Sequence, residues 1–210
     1  MRSRVQRPIC AAAAACLLVL AGSCATGLKE MRGTPAADVD RTLSPFSHIE
    51  EGDLVLLVVG TKAARDRDNS GYVPLEIVVA NKGLRQLALT RESFTLIDDE
   101  GNRYPVATPR ELLAGYEFLD LDRSPILSEL PGVVGNKVAA YSRYPSKFSP
   151  TRQAVNAGVV QDLVSLPRYG YLYDYIYFPR PADGVRGKRF ELFVESQHLE
   201  TPVFVKFVVR

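Results

Sequence analysis

YVPLEIVVANKGLRQLALTRESFTLIDDEGNRYPV, residues Tyr72 to Val106, is the stretch whose patterning decides the fold class. Val73, Leu75, Ile77 and Val79 alternate with Pro74, Glu76 and Val78, the period of a strand with one face in a core. Asn81-Lys82-Gly83 follows, and Asn and Gly tolerate the left-handed backbone of tight turns, so a hairpin or a sheet-crossing connection starts there. A second strand over Ser93 to Asp98 puts Phe94, Leu96 and Asp98 on one face, with Thr95 and Ile97 on the other. Asp99-Glu100-Gly101-Asn102 then turns the chain into a short strand, Arg103 to Val106. The succession reads as antiparallel β, most economically a sandwich.

A hydrophobic strand ending in Asn81, followed by Phe94-x-Leu96-x-Asp98-x-x-Gly101-x-x-Tyr104, resembles the immunoglobulin-like domain of unknown function that recurs in bacterial surface lipoproteins. The likeness covers about 35 residues well and the C-terminal strands loosely. It implies a mainly β, immunoglobulin-like antiparallel sandwich and an envelope location. Its motif residues are structural and imply no activity.

The leader agrees with that compartment. Arg2, Arg4 and Arg7 precede an apolar run from about Ile9 to Ala21, which ends in small residues and Cys24, the anatomy of a signal peptide over residues 1–23. Leu20-Ala21-Gly22-Ser23-Cys24 resembles a bacterial lipobox, although Ala21 stands where the commonest form has Leu. That resemblance implies a diacylglycerol on the Cys24 thiol and anchorage in the lipid bilayer. The alternative is an ordinary secretory signal cleaved between Ala21 and Ala25. Ala25 rather than Asp after the cysteine favours the outer membrane. Residues 24–45 carry Gly27, Gly33, Pro35 and Pro45 without an apolar period, and read as a tether of roughly 25 Å.

The remaining 46–210 reads as one domain, with an insertion of helices and loops over about 109–166. Asp53 to Gly60 is a short apolar run suited to a strand buried on both faces. Lys62 to Gly71 is a charged loop. Thr108 and Pro109 are an N-cap and first position for a helix, and Leu130 to Asn136 (LPGVVGN) reads as loop. Ser149 and Pro150 start a second helix with Val155, Val159, Leu163 and Leu166 on one side, stopped at Pro167. Strands return over Tyr171–Phe178, Arg189–Glu195 with Phe190, Leu192 and Val194 inward, and Val203–Val209.

Composition excludes several functions. The chain has 26 Lys+Arg against 24 Asp+Glu; with the three leader arginines removed the balance is near neutral, so no nucleic-acid partner is expected. Cys10, Cys16 and Cys24 all lie in the leader, which leaves the domain without disulfide, thiol or cysteine-zinc chemistry. His48 and His198 belong to no nucleophile or metal pattern, Gly132 and Gly135 to no phosphate loop, and Asp98 and Asp99 are turn residues. No enzyme activity and no cofactor are expected.

Two constellations remain. Asp66, Asp68 and Ser70, in DRDNSG, match the first half of a calcium loop, but the twelfth position is Ile77 rather than Glu; a polar inter-strand loop explains them as well. Asp120 and Asp122 could add a second acidic site or simply end a helix. Tyr169, Tyr171, Tyr173, Tyr175 and Tyr177 recur at every second residue and in one strand would line one face. Exposed, they would be a stacking platform for a glycan or small ligand; half-buried, they pack under the 109–166 insertion while Leu172, Ile176 and Phe178 face the core. The expected role is a non-catalytic envelope protein that binds another envelope protein or a cell-wall component, with a glycan or small-ligand receptor as the alternative.

Overall fold

The computed structural model describes residues 41–122, 124, 128–146, 148–149 and 162–210. The expected signal peptide, the expected lipidation site Cys24 and the 150–161 part of the helix expected from Pro150 to Leu166 lie outside the described residues. The chain runs through β1 (Thr42–Ser44), β2 (Ser47–Glu51), β3 (Val55–Gly60), α1 (Lys62–Asp66), β4 (Tyr72–Asn81) and β5 (Gln86–Leu89). It continues through β6 (Phe94–Asp98), β7 (Arg103–Pro105), α2 (Pro109–Gly115), α3 (Leu119–Asp122) and α4 (Leu130–Val138). Last come β8 (Ser142–Arg143), β9 (Val164–Pro167), β10 (Gly170–Pro179), β11 (Arg189–Val194) and β12 (Val203–Val208).

The protein is mainly β, as the patterning predicts. One sheet has the order β1-β2-β3-β4-β10-β8, a second β12-β11-β6-β7, and β5 pairs with β9 in a two-stranded ribbon. A shared core separates the layers: Leu57, Val59, Leu75, Ile77, Ile176 and Phe178 from the first meet Phe94, Leu96, Phe190, Leu192 and Phe207 from the second. Pairing is antiparallel except for β8, which runs parallel to β10. The inward set predicted for β4 is buried, and so is its other face, because the insertion covers it.

The motif that carries the family resemblance has a physical account. The Asp98 Oδ1 accepts the Glu100 and Asn102 amides at 3.1 and 2.8 Å, and Oδ2 accepts the Asn102 side chain and the Tyr104 hydroxyl at 2.9 Å each. Gly101 turns at φ +87°, where a side chain is disfavoured. The connection after β4 crosses between sheets. Buried Asn81 holds it, donating to the Leu84 and Leu166 carbonyls at 3.0 Å and accepting the Leu84 amide at 2.9 Å.

Several local expectations are corrected. Thr42–Ser44 is paired with β2, so ordered structure begins inside the stretch read as tether. Lys62–Asp66 is helical rather than loop. LPGVVGN forms α4: Pro131 sits in the first turn, where its missing N–H costs nothing, and Leu130, Val134 and Val138 at four-residue spacing are buried. Val164–Pro167 is a strand, not a helix end, with Val164 and Leu166 inward and Leu163 exposed.

Candidate functional site

The site lies on the outer face of the six-stranded sheet, where two long strands run side by side. Register places Tyr171, Tyr173, Tyr175 and Tyr177 of β10 opposite Ala80, Val78, Glu76 and Pro74 of β4. The insertion covers this face in two patches. At one end α2, opened by the predicted Thr108 cap (Glu111 N–H to Thr108 Oγ1, 3.3 Å), and α3 bury Leu112, Tyr116 and Leu119 against Tyr175 and Tyr177. At the other end α4 packs Leu130, Val134 and Val138 on Val58, Val78 and Ala80, beside Tyr171 and Tyr173.

The tyrosine row is therefore split, which corrects the five-residue platform. Tyr175 and Tyr177 are buried at 4% and 0% exposure under the insertion. Tyr169 precedes the strand, at φ +61°, and lies edge-on to Tyr141 with ring centroids 5.7 Å apart. Tyr169 is 50% exposed there, and of the four tyrosines within the strand Tyr171 and Tyr173 are half-buried and border open space. Leu172, Ile176 and Phe178 face the main core as expected. Between them Asp174, an acid at a core-facing position, accepts the Phe148 and Tyr175 amides at 2.8 Å, Ser146 Oγ at 2.6 Å and Ser149 Oγ at 2.8 Å.

Where the two patches meet, a carboxyl is buried. Glu76 is 4% exposed and its Oε1 accepts the hydroxyls of Ser128 and Tyr173, which lie 2.8 Å from each other. Gly60 is paired opposite it, and a Cβ there would sit 3.1 Å from that of Glu76, so glycine makes the room. Burial pushes the carboxyl above its ordinary range despite both hydrogen bonds, and nearby Glu129, itself paired with Lys62 at 2.9 Å, adds to the rise. Desolvation and the adjoining carboxyl likewise raise the Tyr173 hydroxyl.

A second buried acid fastens the other patch. Asp122 accepts the Tyr116 hydroxyl and pairs with Arg67 at 3.2 Å, the guanidinium of which lies over Phe118 at 4.5 Å. Burial raises this carboxyl too, against the opposing pull of Tyr116 and Arg67. Asp122 is thus a fastener, and Asp120 is exposed beside it.

The three side chains of the half calcium loop are placed apart, as the polar-loop reading has them. Asp66 pairs with Arg65 at 2.7 Å, Asp68 faces Arg180 at 4.0 Å, and Ser70 Oγ bonds the backbone of Tyr72. The three donors point to separate partners. Among the described residues no group of three His, Cys, Asp or Glu side chains converges on a metal position.

Between α4 and the β10–β8 edge runs a groove of about 240 Å³, lined by Val78, Val134, Val138, Tyr141, Arg143, Tyr171 and Tyr173. The Arg143 guanidinium stacks over the Tyr173 ring at 5.2 Å. Sequence reasoning singled out Tyr171 and Tyr173 but missed Glu76, Asp174 and Arg143. Glu76 and Asp174 carried one signal, an acid within a hydrophobic strand. Arg143 carried none, because a two-residue strand has no period to read. No protein-family model, no curated protein and no solved structure matches this chain.

Proposed function

We propose that the chain is a lipid-anchored protein of the bacterial envelope, held in the outer membrane through Cys24. Its domain belongs to the immunoglobulin-like class and is non-catalytic, binding another envelope protein or a cell-wall component. The anchor rests on the sequence from Arg2 to Cys24. One observation carries the binding reading. The buried carboxyls of the outer face are engaged by Ser128, Tyr173, Tyr116 and Arg67, while the groove beside them offers apolar and aromatic surface. A glycan or small ligand in that groove is the second reading, favoured by the half-buried Tyr171 and Tyr173 and by the Tyr141 ring.

Intact mass and membrane partitioning of the natively expressed chain, beside Cys24→Ala, test the anchor. The expected result is a wild type carrying acylglycerol and pelleting with membranes, and a variant released from them. An unmodified soluble wild type refutes it. Cross-linking in membranes followed by capture tests the binding role, and recovery of no envelope component counts against it.

A further inference from the structure

The open edge of the six-stranded sheet and the groove meet at Arg143. The Ser142 amide donates to the Tyr169 carbonyl at 2.9 Å and the Tyr144 amide to the Tyr171 carbonyl at 2.8 Å. Strand alternation then turns the Arg143 N–H and C=O away from β10, toward the outer side of β8, the last strand in the sheet. Among the described residues no carboxylate forms an ion pair with the Arg143 guanidinium, which lies on Tyr173 with its N–H fork free at the rim. The groove floor is Val78, Val134 and Val138. At about 240 Å³ it is smaller than the roughly 300–1,000 Å³ of sites that enclose drug-sized molecules, so it fits one side chain.

We propose that this corner binds the C-terminus of a partner protein. The last residue's apolar side chain enters the groove, its α-carboxylate pairs with Arg143, and the preceding backbone adds to the edge of β8. The short length of β8 confines the addition to the final residues, and the unopposed guanidinium calls for an anion at that point. Sugar stacking has less surface to use, because Arg143 covers Tyr173 and Arg168 covers Tyr169 at 5.0 Å. The proposal rests on the binding reading above and is independent of the lipid anchor.

The test titrates labelled acetylated pentapeptides ending in Ala, Val or Leu, each with a free carboxylate or a carboxamide, against the detergent-solubilised full chain. Binding of carboxylate peptides is expected to fall about tenfold or more on amidation and in Arg143→Gln, with Arg143→Lys restoring only part of it, since ammonium lacks the bidentate fork. Gly135→Leu leaves Arg143 in place and projects into the groove, and it too is expected to abolish binding; a Cβ at Gly135 meets nothing within 4 Å, and an unchanged urea midpoint shows that the loss is not one of folding. No binding by any carboxylate peptide, equal binding of amidated forms, or Arg143-dependent binding of a glucuronate oligosaccharide in place of peptide overturns the proposal. Partitioning of Cys24→Ala reports on the anchor alone.

Discussion

Replacing Asp174 with alanine is expected to be among the most destabilising single changes in the domain. The carboxylate faces the main core from β10 and receives the Phe148 and Tyr175 amides and the Ser146 and Ser149 hydroxyls at 2.6–2.8 Å, with the Ser149 amide at 3.4 Å. Phe148 and Ser149 are each 1% exposed, so water cannot replace the lost acceptor. The serine hydroxyls can turn to other acceptors, but the Phe148 and Tyr175 amides cannot, and at about 1–3 kcal/mol for each orphaned donor the loss is about 2–6 kcal/mol. The Arg91 Nε also bonds the Phe148 carbonyl at 3.0 Å, so the same segment loses its second support as it shifts. With a urea m-value of about 2 kcal/mol/M, the unfolding midpoint by far-ultraviolet circular dichroism should fall by about 2 M. Asp174→Asn, which keeps one acceptor oxygen but turns an amide donor toward other donors, should fall between wild type and alanine. A midpoint within about 0.3 M of wild type for Asp174→Ala would refute the account of this cradle.

Two further expectations concern close-packed points. Glu76→Gln keeps an acceptor for Ser128 and Tyr173 and removes the ionisable group. Because burial raises the folded value above the ordinary 4.5, the stability this carboxyl contributes is complete below that value and is lost as pH rises through the folded one. The melting temperature of Glu76→Gln relative to wild type should therefore climb as pH rises from 4.5 through the raised folded value, and a gap that does not change with pH refutes the buried-acid reading. Gly170→Ala should cost about 1–3 kcal/mol in denaturant titration, since a Cβ there would lie 3.0 Å from the Pro167 carbonyl and the Tyr144 ring; unchanged stability means that the β9–β10 turn yields.

Much of the scaffold was legible because long strands repeat their signal. The period of two in β4, β6 and β11 identified the inward residues, and the Thr108-Pro109 pair marked a helix start. Short elements were not legible. In α4 local glycine and proline argued for loop, and burial of Leu130, Val134 and Val138 against the sheet overrode them. In β9, Leu163 and Leu166 fit a helical spacing by coincidence, whereas pairing with β5 decided the matter. At the site, the register of β4 against β10 places Glu76 among the tyrosines, and long-range register is absent from local pattern. The split of the tyrosine row was half visible: packing under the insertion was one of two readings, and it holds for Tyr175 and Tyr177.

The outer-face patches are separated from the main core by the six-stranded sheet, and that partition has a spectroscopic consequence. The protein has no tryptophan, and Tyr72, Tyr116, Tyr141, Tyr171, Tyr173, Tyr175 and Tyr177, seven of its ten tyrosines, belong to those patches, while the ring content of the main core is largely phenylalanine. Near-ultraviolet absorbance and intrinsic emission therefore watch the insertion, and amide circular dichroism watches the sheets. If the helices lift before the sheets open, the two signals will melt at different temperatures, and an optical trace followed alone will assign the loosening of a cover to the whole domain.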